Sequence, residues 1–195
     1  MNNFAIVSAV ILIVSLARAL PHPIPISISA LALFAAVYLP QKWLAFLVFF
    51  GGLFISDLVL GLHPMIPVVY ASLISVLFVG FKLSRNLDTQ KIVRATVLGS
   101  LFYFLLTNFG VWVLGGCDWT AAEAREFPLT FAGLMSAFAG GFPGLPKKIL
   151  SDLLGSSLLF GAFPWAYKTL AGVRTLWLVR CRQPVFSSVK ENANE

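Results

Sequence analysis

Charged residues are scarce in this sequence. Only 11% of the 195 residues are charged, 58% are hydrophobic, and the mean hydropathy is +0.88. Soluble domains carry about twice that share of charge. The composition therefore excludes an ordinary soluble domain and predicts an all-α integral membrane protein. At roughly 20 residues per span, the chain has room for about six crossings and for no separate soluble domain.

Cysteines and catalytic signatures are also scarce. The two cysteines, Cys117 and Cys181, do not form a CxxC pair, so no metal or redox motif is expected. The sequence contains no HExxH, no GxSxG and no phosphate-binding loop. Asp57 and Asp152 could in principle pair as in intramembrane aspartyl proteases, but those sites lie deeper and are flanked differently. We therefore expect no enzymatic activity, no cofactor and no metal.

The net charge of +6 resides in short connections and in the C-terminal tail. No basic stripe is interleaved with stacking aromatic residues, so we expect no nucleic-acid partner. Short loops rich in Lys and Arg remain in the cytoplasm. This rule places the connection 82–94, with its four basic residues, on the cytoplasmic side.

Apolar runs predict the spans, at about residues 4–20, 26–39, 43–61, 65–81, 92–114 and 149–167. The first run ends in Ala-Arg-Ala, which mimics a signal-peptide cleavage site. The uncharged start MNN and the Arg within that motif favour a retained span instead. The second run is short, and it is either a tilted span in a thinned bilayer or a partly re-entrant helix.

The segment 128–142 decides the topology because its hydrophobicity is weak. If it spans, the basic tail lies outside, against the positive-inside rule; if it is re-entrant or interfacial at the outer face, six spans place both termini in the cytoplasm. We favour six transmembrane helices, with one membrane domain over 1–170 and a basic cytoplasmic tail over 171–195.

Two similar sequence motifs place an aspartate inside an apolar run: ISDLVLG at 55–61 and LSDLLG at 150–155. With six spans, Asp57 lies near the outer end of the third span and Asp152 near the outer start of the last. Each then lies about 6 Å below the outer boundary. With seven spans, the two acids would lie at opposite faces.

Other unusual polar residues fall in the same outer layer. They are Arg18, His22, His63, Tyr70, Asn108 and Trp112. Because an ionisable group in a membrane costs about 2.5–3.5 kcal/mol on insertion scales, such residues are usually paired or line a wet cavity. We predict a polar cup open to the outside. Simpler interpretations remain. The two acids could reach the membrane interface, and Arg18 could snorkel to it or form a purely structural ion pair with Asp57. The histidines could be ordinary loop residues, and Trp112 could belong to an interfacial aromatic belt.

The motifs PHP at 21–23 and TNFGVW at 107–112, with ALALF, SDLVLG, TFAGL and LSDLLGSSLLFG, resemble a family of small bacterial integral membrane proteins with a domain of unknown function. That family is similar in architecture to the S components of energy-coupling-factor (ECF) vitamin transporters. The resemblance extends over about residues 12–163. Two positions depart from the pattern: PHPIPI replaces PHPPNF, and Ser151 stands where Gly is usual.

The resemblance implies an ECF S-component-like bundle in the bacterial cytoplasmic membrane. It implies capture of a small nutrient or vitamin-like molecule from outside, with an ECF coupling protein and ATPases as partners. Asp57 and Asp152 would accept hydrogen bonds or charge from the ligand. Arg18 would pair with a ligand anion or with an acid, Tyr70 and Trp112 would stack, and Asn108 would orient the ligand. The alternative is a structural or assembly protein whose polar layer only locks helices together.

Overall fold

The computed structural model describes residues 3–18, 27–83, 88–115 and 126–181, and these ranges are helical with no strand. The elements are α1 (Asn3–Ala17), α2 (Ile28–Tyr38), α3 (Lys42–Leu60), α4 (Ile66–Lys82), α5 (Thr89–Leu114), α6 (Phe131–Gly141), a 3-10 turn (Phe142–Gly144) and α7 (Leu145–Cys181). The predicted all-helical class is confirmed for these residues. The contacts divide the chain into two compact units, Met1–Leu159 and Phe160–Glu195, and the site below lies in the first.

Helix α7 differs most from the apolar run that predicts it. It begins at Leu145, four residues before the run 149–167, because Pro146 stands in the first turn, where a missing N–H is tolerated. It also continues as helix to Cys181. The predicted tail 171–195 therefore begins within a helix, and its residues 182–195 lie outside the described part of the chain.

Helix α2 lies at the centre of the first unit. Every residue from Ser29 to Ala36 is buried, and the helix contacts α1, α3, α4 and α5. Its alanines allow close approach, and Gly80 of α4 packs against Ala36, where a Cβ on the glycine would lie 2.6 Å from the alanine Cβ. The 11 residues of α2 span about 17 Å, well short of a hydrocarbon layer of about 30 Å.

Contacts fix the relative directions of the helices. Ser15 packs against Gly52 and Arg18 contacts Asp57, so α1 and α3 run parallel. Phe46 lies near Phe81 and Asp57 contacts Tyr70, so α4 runs antiparallel to α3.

The remaining long helices continue this alternation. Gly99 packs on Val76 and Gly110 packs on Val68, so α5 is antiparallel to α4. The contacts Ser100–Asp152 and Thr96–Ser156 make α7 antiparallel to α5. Gly80, near the end of α4, packs against Ala36, near the end of α2, so α2 runs parallel to α4. Helices α1–α5 and the part of α7 up to Leu159 therefore alternate in direction, and the short α6 lies between the last two in sequence.

The interior combines apolar and polar side chains, and the surface carries many large apolar side chains. Among the residues that the structure describes, ten serine, threonine and aspartate residues are buried, whereas large apolar side chains such as Ile13, Val59 and Phe131 are 66–76% exposed. Two of the described helices, Lys42–Leu60 and Thr89–Leu114, are long and apolar enough to cross a membrane. Three shorter apolar helices, Ala5–Ala17, Ile28–Tyr38 and Ile66–Lys82, fall below that length.

Candidate functional site

Asp57 lies in the last turn of α3 and is 6% exposed. Its Oδ1 accepts a hydrogen bond from Nη1 of Arg18 at 3.1 Å, and its Oδ2 accepts one from the Tyr70 hydroxyl at 2.8 Å. Arg18 directly follows α1, and Tyr70 stands in the second turn of α4. Three of the predicted site residues therefore form one cluster, which joins the ends of three helices.

Asp152 lies two turns into α7 and is fully buried. Its Oδ1 accepts a hydrogen bond from Ser27 at 2.5 Å, and its Oδ2 accepts one from Ser100 at 2.7 Å. The ammonium of Lys148 donates to both oxygens, at 2.7 and 2.5 Å. The carboxylate thereby connects α2, α5 and α7, and its charge is balanced within the fold.

Lys148 is the part of this ion pair that remains accessible. Its side chain is 27% exposed, against 1% for that of Asp152. The ammonium also donates to Ser29 at 2.7 Å and lies 4.5 Å above the centre of the Tyr103 ring, a cation–π arrangement. Aromatic ring, hydroxyl and carboxylate together hold the lysine head in one position.

A polar pocket of about 230 Å³ opens at this ion pair. The first residues of α2 (27–29) line it together with Tyr103 of α5 and with Lys148, Ser151 and Asp152 of α7. A second cavity of about 310 Å³, between the start of α4 and the end of α5, is lined by apolar residues and glycine. Across the described ranges, no three His, Cys, Asp or Glu side chains cluster as metal ligands would.

Asp57 and Asp152 lie toward the same end of the bundle but have separate sets of partners. Asp57 is at the end of α3 beside the start of α4, and Asp152 bonds Ser27 at the start of α2. Among the described residues, none bonds both acids.

The remaining predicted site residues lie elsewhere. His63 is exposed, and its carbonyl accepts the amide of Ile66 at the start of α4. Asn108 donates to the carbonyl of Phe104 and packs against Gly141.

Trp112 donates its indole N–H to the carbonyl of Pro128 at 2.9 Å. Asn108 and Trp112, one turn apart on α5, therefore face the segment 128–141. His22 lies outside the described residues.

Sequence reasoning missed the residues that surround Asp152: Ser27, Ser29, Ser100, Tyr103 and Lys148. One signal was available, because Lys148 and Asp152 are four residues apart and a helix places such residues on one face. The predicted span begins at residue 149, one residue after Lys148, and this placement hid that spacing. The serines gave no local signal, since Ser27 and Ser100 are 125 and 52 residues from the acid.

Comparison with known proteins gives a family but no activity. No curated protein and no solved structure matches the chain. The profile of a family of unknown function, DUF6580, matches residues 1–175, which is most of the chain. The chain therefore belongs to the DUF6580 family.

Proposed function

We propose that this protein is a membrane-embedded binding subunit that captures a small nutrient or vitamin-like molecule from the extracytoplasmic side. The observation that carries the proposal is the polar pocket of about 230 Å³ at the Lys148–Asp152 pair. Ligand sites are concave and hold a few convergent polar groups. A charged pair inside a membrane domain usually marks a substrate or ion site.

The apolar surface and the buried polar groups support the placement in a membrane. Buried serines and acids beneath an apolar surface suit a bundle surrounded by lipid tails, because polar groups in hydrocarbon must find partners inside. The alternation of α1–α5 and α7 supports six crossings. On this proposal the short α2 crosses only part of the bilayer and is shielded by its neighbours.

Basic residues support the orientation. Lys42 lies 5.7 Å from the Phe81 ring centre, at the end of the bundle where α3 starts and α4 ends. That end also carries Lys82 and the start of α5, and it is opposite to Asp57 and Asp152. Since short basic connections remain in the cytoplasm, the pocket would face outward, with both termini inside.

The resemblance to S components extends the proposal to partners. The chain carries no phosphate-binding loop, so active uptake would need separate ATPases and an ECF coupling protein. The protein would then supply recognition, and its partners would supply energy.

One observation favours the second candidate, a structural polar layer. Both oxygens of Asp57 and both of Asp152 already accept hydrogen bonds from within the chain. Such satisfied networks also fix helix register without any ligand. The two functions differ in whether the pocket holds a molecule.

A pocket-filling substitution separates the two functions. The protein would be purified in mild detergent and analysed for co-purifying small molecules by mass spectrometry. Ser151→Leu places a larger side chain in the pocket without removing the ion pair. Ser157→Leu is the matched control, because Ser157 is exposed on the same helix.

If the protein captures a ligand, a small molecule should co-purify with the wild type and with Ser157→Leu. It should be absent from Ser151→Leu. A wild type that carries no molecule, or an equal amount with Ser151→Leu, would favour the structural layer.

A further inference from the structure

We infer that the face formed by α3 and α4 binds an anionic phospholipid of the cytoplasmic leaflet, with the lipid phosphate at Lys42 and Lys82. The inference goes beyond the proposed capture function and uses only the proposed placement and orientation of the bundle in a membrane. Two observations carry it. The two lysines have no counter-charge among the described residues, and an exposed apolar surface lies directly beside them.

Lys42 and Lys82 lie at the same end of the bundle, where α3 begins and α4 ends. The Lys42 ammonium lies 5.7 Å from the centre of the Phe81 ring, and Lys82 is the next residue in the chain. Both lysines are exposed. Because a lysine ammonium is carried on a flexible four-carbon stem, the two cations flanking this ring are within the reach of one phospholipid headgroup.

The charge of this end is not balanced within the described part of the chain. Both ion pairs of the described residues lie at the opposite end of the bundle. Asp88 is the one acid described at the basic end, and it forms neither an ion pair nor a capping bond. Lys91 and Arg94 are also exposed there, in the first two turns of α5. The resulting positive potential attracts the anionic headgroups of the cytoplasmic leaflet.

Aromatic rings fill the contact between α3 and α4 beside the lysines. The ring centre of Phe46 lies 6.2 Å from that of Phe78 and 5.8 Å from that of Phe81, and the last two lie 6.1 Å apart. Phe78 is 55% exposed, Trp43 59% and Leu47 62%. Since Phe78 stands one turn before the end of α4, this apolar surface begins at the lysines and extends about 6 Å or more toward the centre of the bilayer.

The two features together fit a phospholipid better than a free anion. A free phosphate would contact the lysines and leave the rings unused, and salt would screen its attraction to such exposed cations. A phospholipid whose phosphate contacts the lysines places its acyl chains along Phe78 and Leu47. Trp43, the residue after Lys42, then lies at the level of the headgroups, where tryptophan is enriched in membrane proteins.

Lipid selectivity tests the inference. The full-length protein would be reconstituted in phosphatidylcholine nanodiscs with and without phosphatidylglycerol. Native mass spectrometry gives the preference among retained lipids, and the thermal midpoint gives stabilisation. Lys82→Gln removes one cation of the site, and Lys42→Gln/Lys82→Gln removes both. Lys147→Gln is the matched control, because it makes the same change of charge at an exposed lysine near the opposite end.

We expect the wild type and Lys147→Gln to retain phosphatidylglycerol in preference to phosphatidylcholine and to have a higher thermal midpoint in its presence. Lys82→Gln should lose about fivefold of that preference, and the double variant most of the remainder, with the helix content by circular dichroism unchanged. An unchanged preference in the double variant, or an equal loss with Lys147→Gln, would overturn the inference.

Further outcomes identify other occupants and also overturn the inference. Equal stabilisation by glycerol phosphate added to phosphatidylcholine nanodiscs would identify a site for free anions. A wild type without lipid preference would leave the lysines to an acidic partner protein. Either result leaves the capture proposal standing, because the pocket lies at the opposite end of the bundle. A protein that does not enter nanodiscs would overturn the membrane placement and both proposals with it.

Discussion

At the scale of single residues, each acid lies in an apolar helix and accepts hydrogen bonds from the partners that surround it. Sequence reasoning could find Asp57, Arg18 and Tyr70, since each is unusual in its own run, and the structure brings them into contact. It could not find Ser100 as a partner of Asp152. Serine is common in membrane helices, and only the packing of α5 on α7 gives this one its role.

The Arg18–Asp57 pair should stabilise the junction of α1 and α3. We expect Asp57→Asn to lower the free energy of unfolding by about 1.5–3 kcal/mol, because Arg18 then keeps a charge without its counter-charge. Arg18→Met with Asp57→Asn should cost less than the sum of the single changes. Denaturant unfolding in mixed micelles would measure each value.

Asp88→Asn is the control for that cycle. Asp88 is exposed and its side chain makes no capping bond, so its replacement should leave stability unchanged. Strictly additive losses for Arg18 and Asp57 would show that the pair contributes nothing as a pair.

At the scale of helices, the apolar runs predicted the approximate positions of α1–α5 and α7, because helix-length apolar stretches are a strong local signal. The first and last residues of the helices were harder to predict. The start of α7 was missed since Pro146 can either end a helix or stand in its first turn. The central position of α2 depends on the helices that pack around it, and no local sequence pattern predicts that packing.

Gly80 sets the spacing between α2 and α4. Gly80→Ala should lower stability by about 1–3 kcal/mol, because the new methyl group would overlap Ala36. Gly51→Ala is the matched control, since its Cβ would meet no atom within 4 Å and alanine favours a helix. Thermal unfolding of both variants in one detergent tests this, and equal effects would contradict the close contact.

Trp112 should hold the segment before α6 on α5. Trp112→Phe removes the N–H that donates to Pro128, with an expected loss of about 1 kcal/mol. Amide hydrogen exchange of α6 should then become faster. Trp43→Phe, at a position 59% exposed, should leave that exchange unchanged. Slow exchange in both variants would mean that this bond does not position α6.

At the scale of the whole molecule, the described residues bury polar groups among apolar ones and expose many large apolar side chains, and the two acids of the first unit lie toward one end of its bundle. Composition predicted an integral membrane protein, and the exposed apolar side chains are consistent with that prediction. The placement of Asp57 and Asp152 toward the same end of the bundle was predicted by applying the positive-inside rule to six spans. The alternating helix directions agree with that placement. The separate partner sets of the two acids were not predicted, because counting spans gives the depth of a residue in the bilayer and not its lateral position.

The two cysteines test the proposed topology. With six crossings, Cys117 lies outside and Cys181 inside. A membrane-impermeant thiol reagent applied to whole cells should therefore label the wild type and Cys181→Ser but not Cys117→Ser. Labelling of Cys117→Ser, or a disulfide between the two residues, would instead require an odd number of crossings.

The double role of Ser27 has a consequence for biogenesis. Its hydroxyl caps α2 and also donates to Asp152, a residue that is synthesised 125 positions later. With the proposed topology, α2 would enter the bilayer during translation before its acidic partner exists, and it is too short to be anchored there by itself. The bundle can close only after the last helix leaves the ribosome, so nascent chains that stop before Asp152 should be substrates for membrane quality-control proteases.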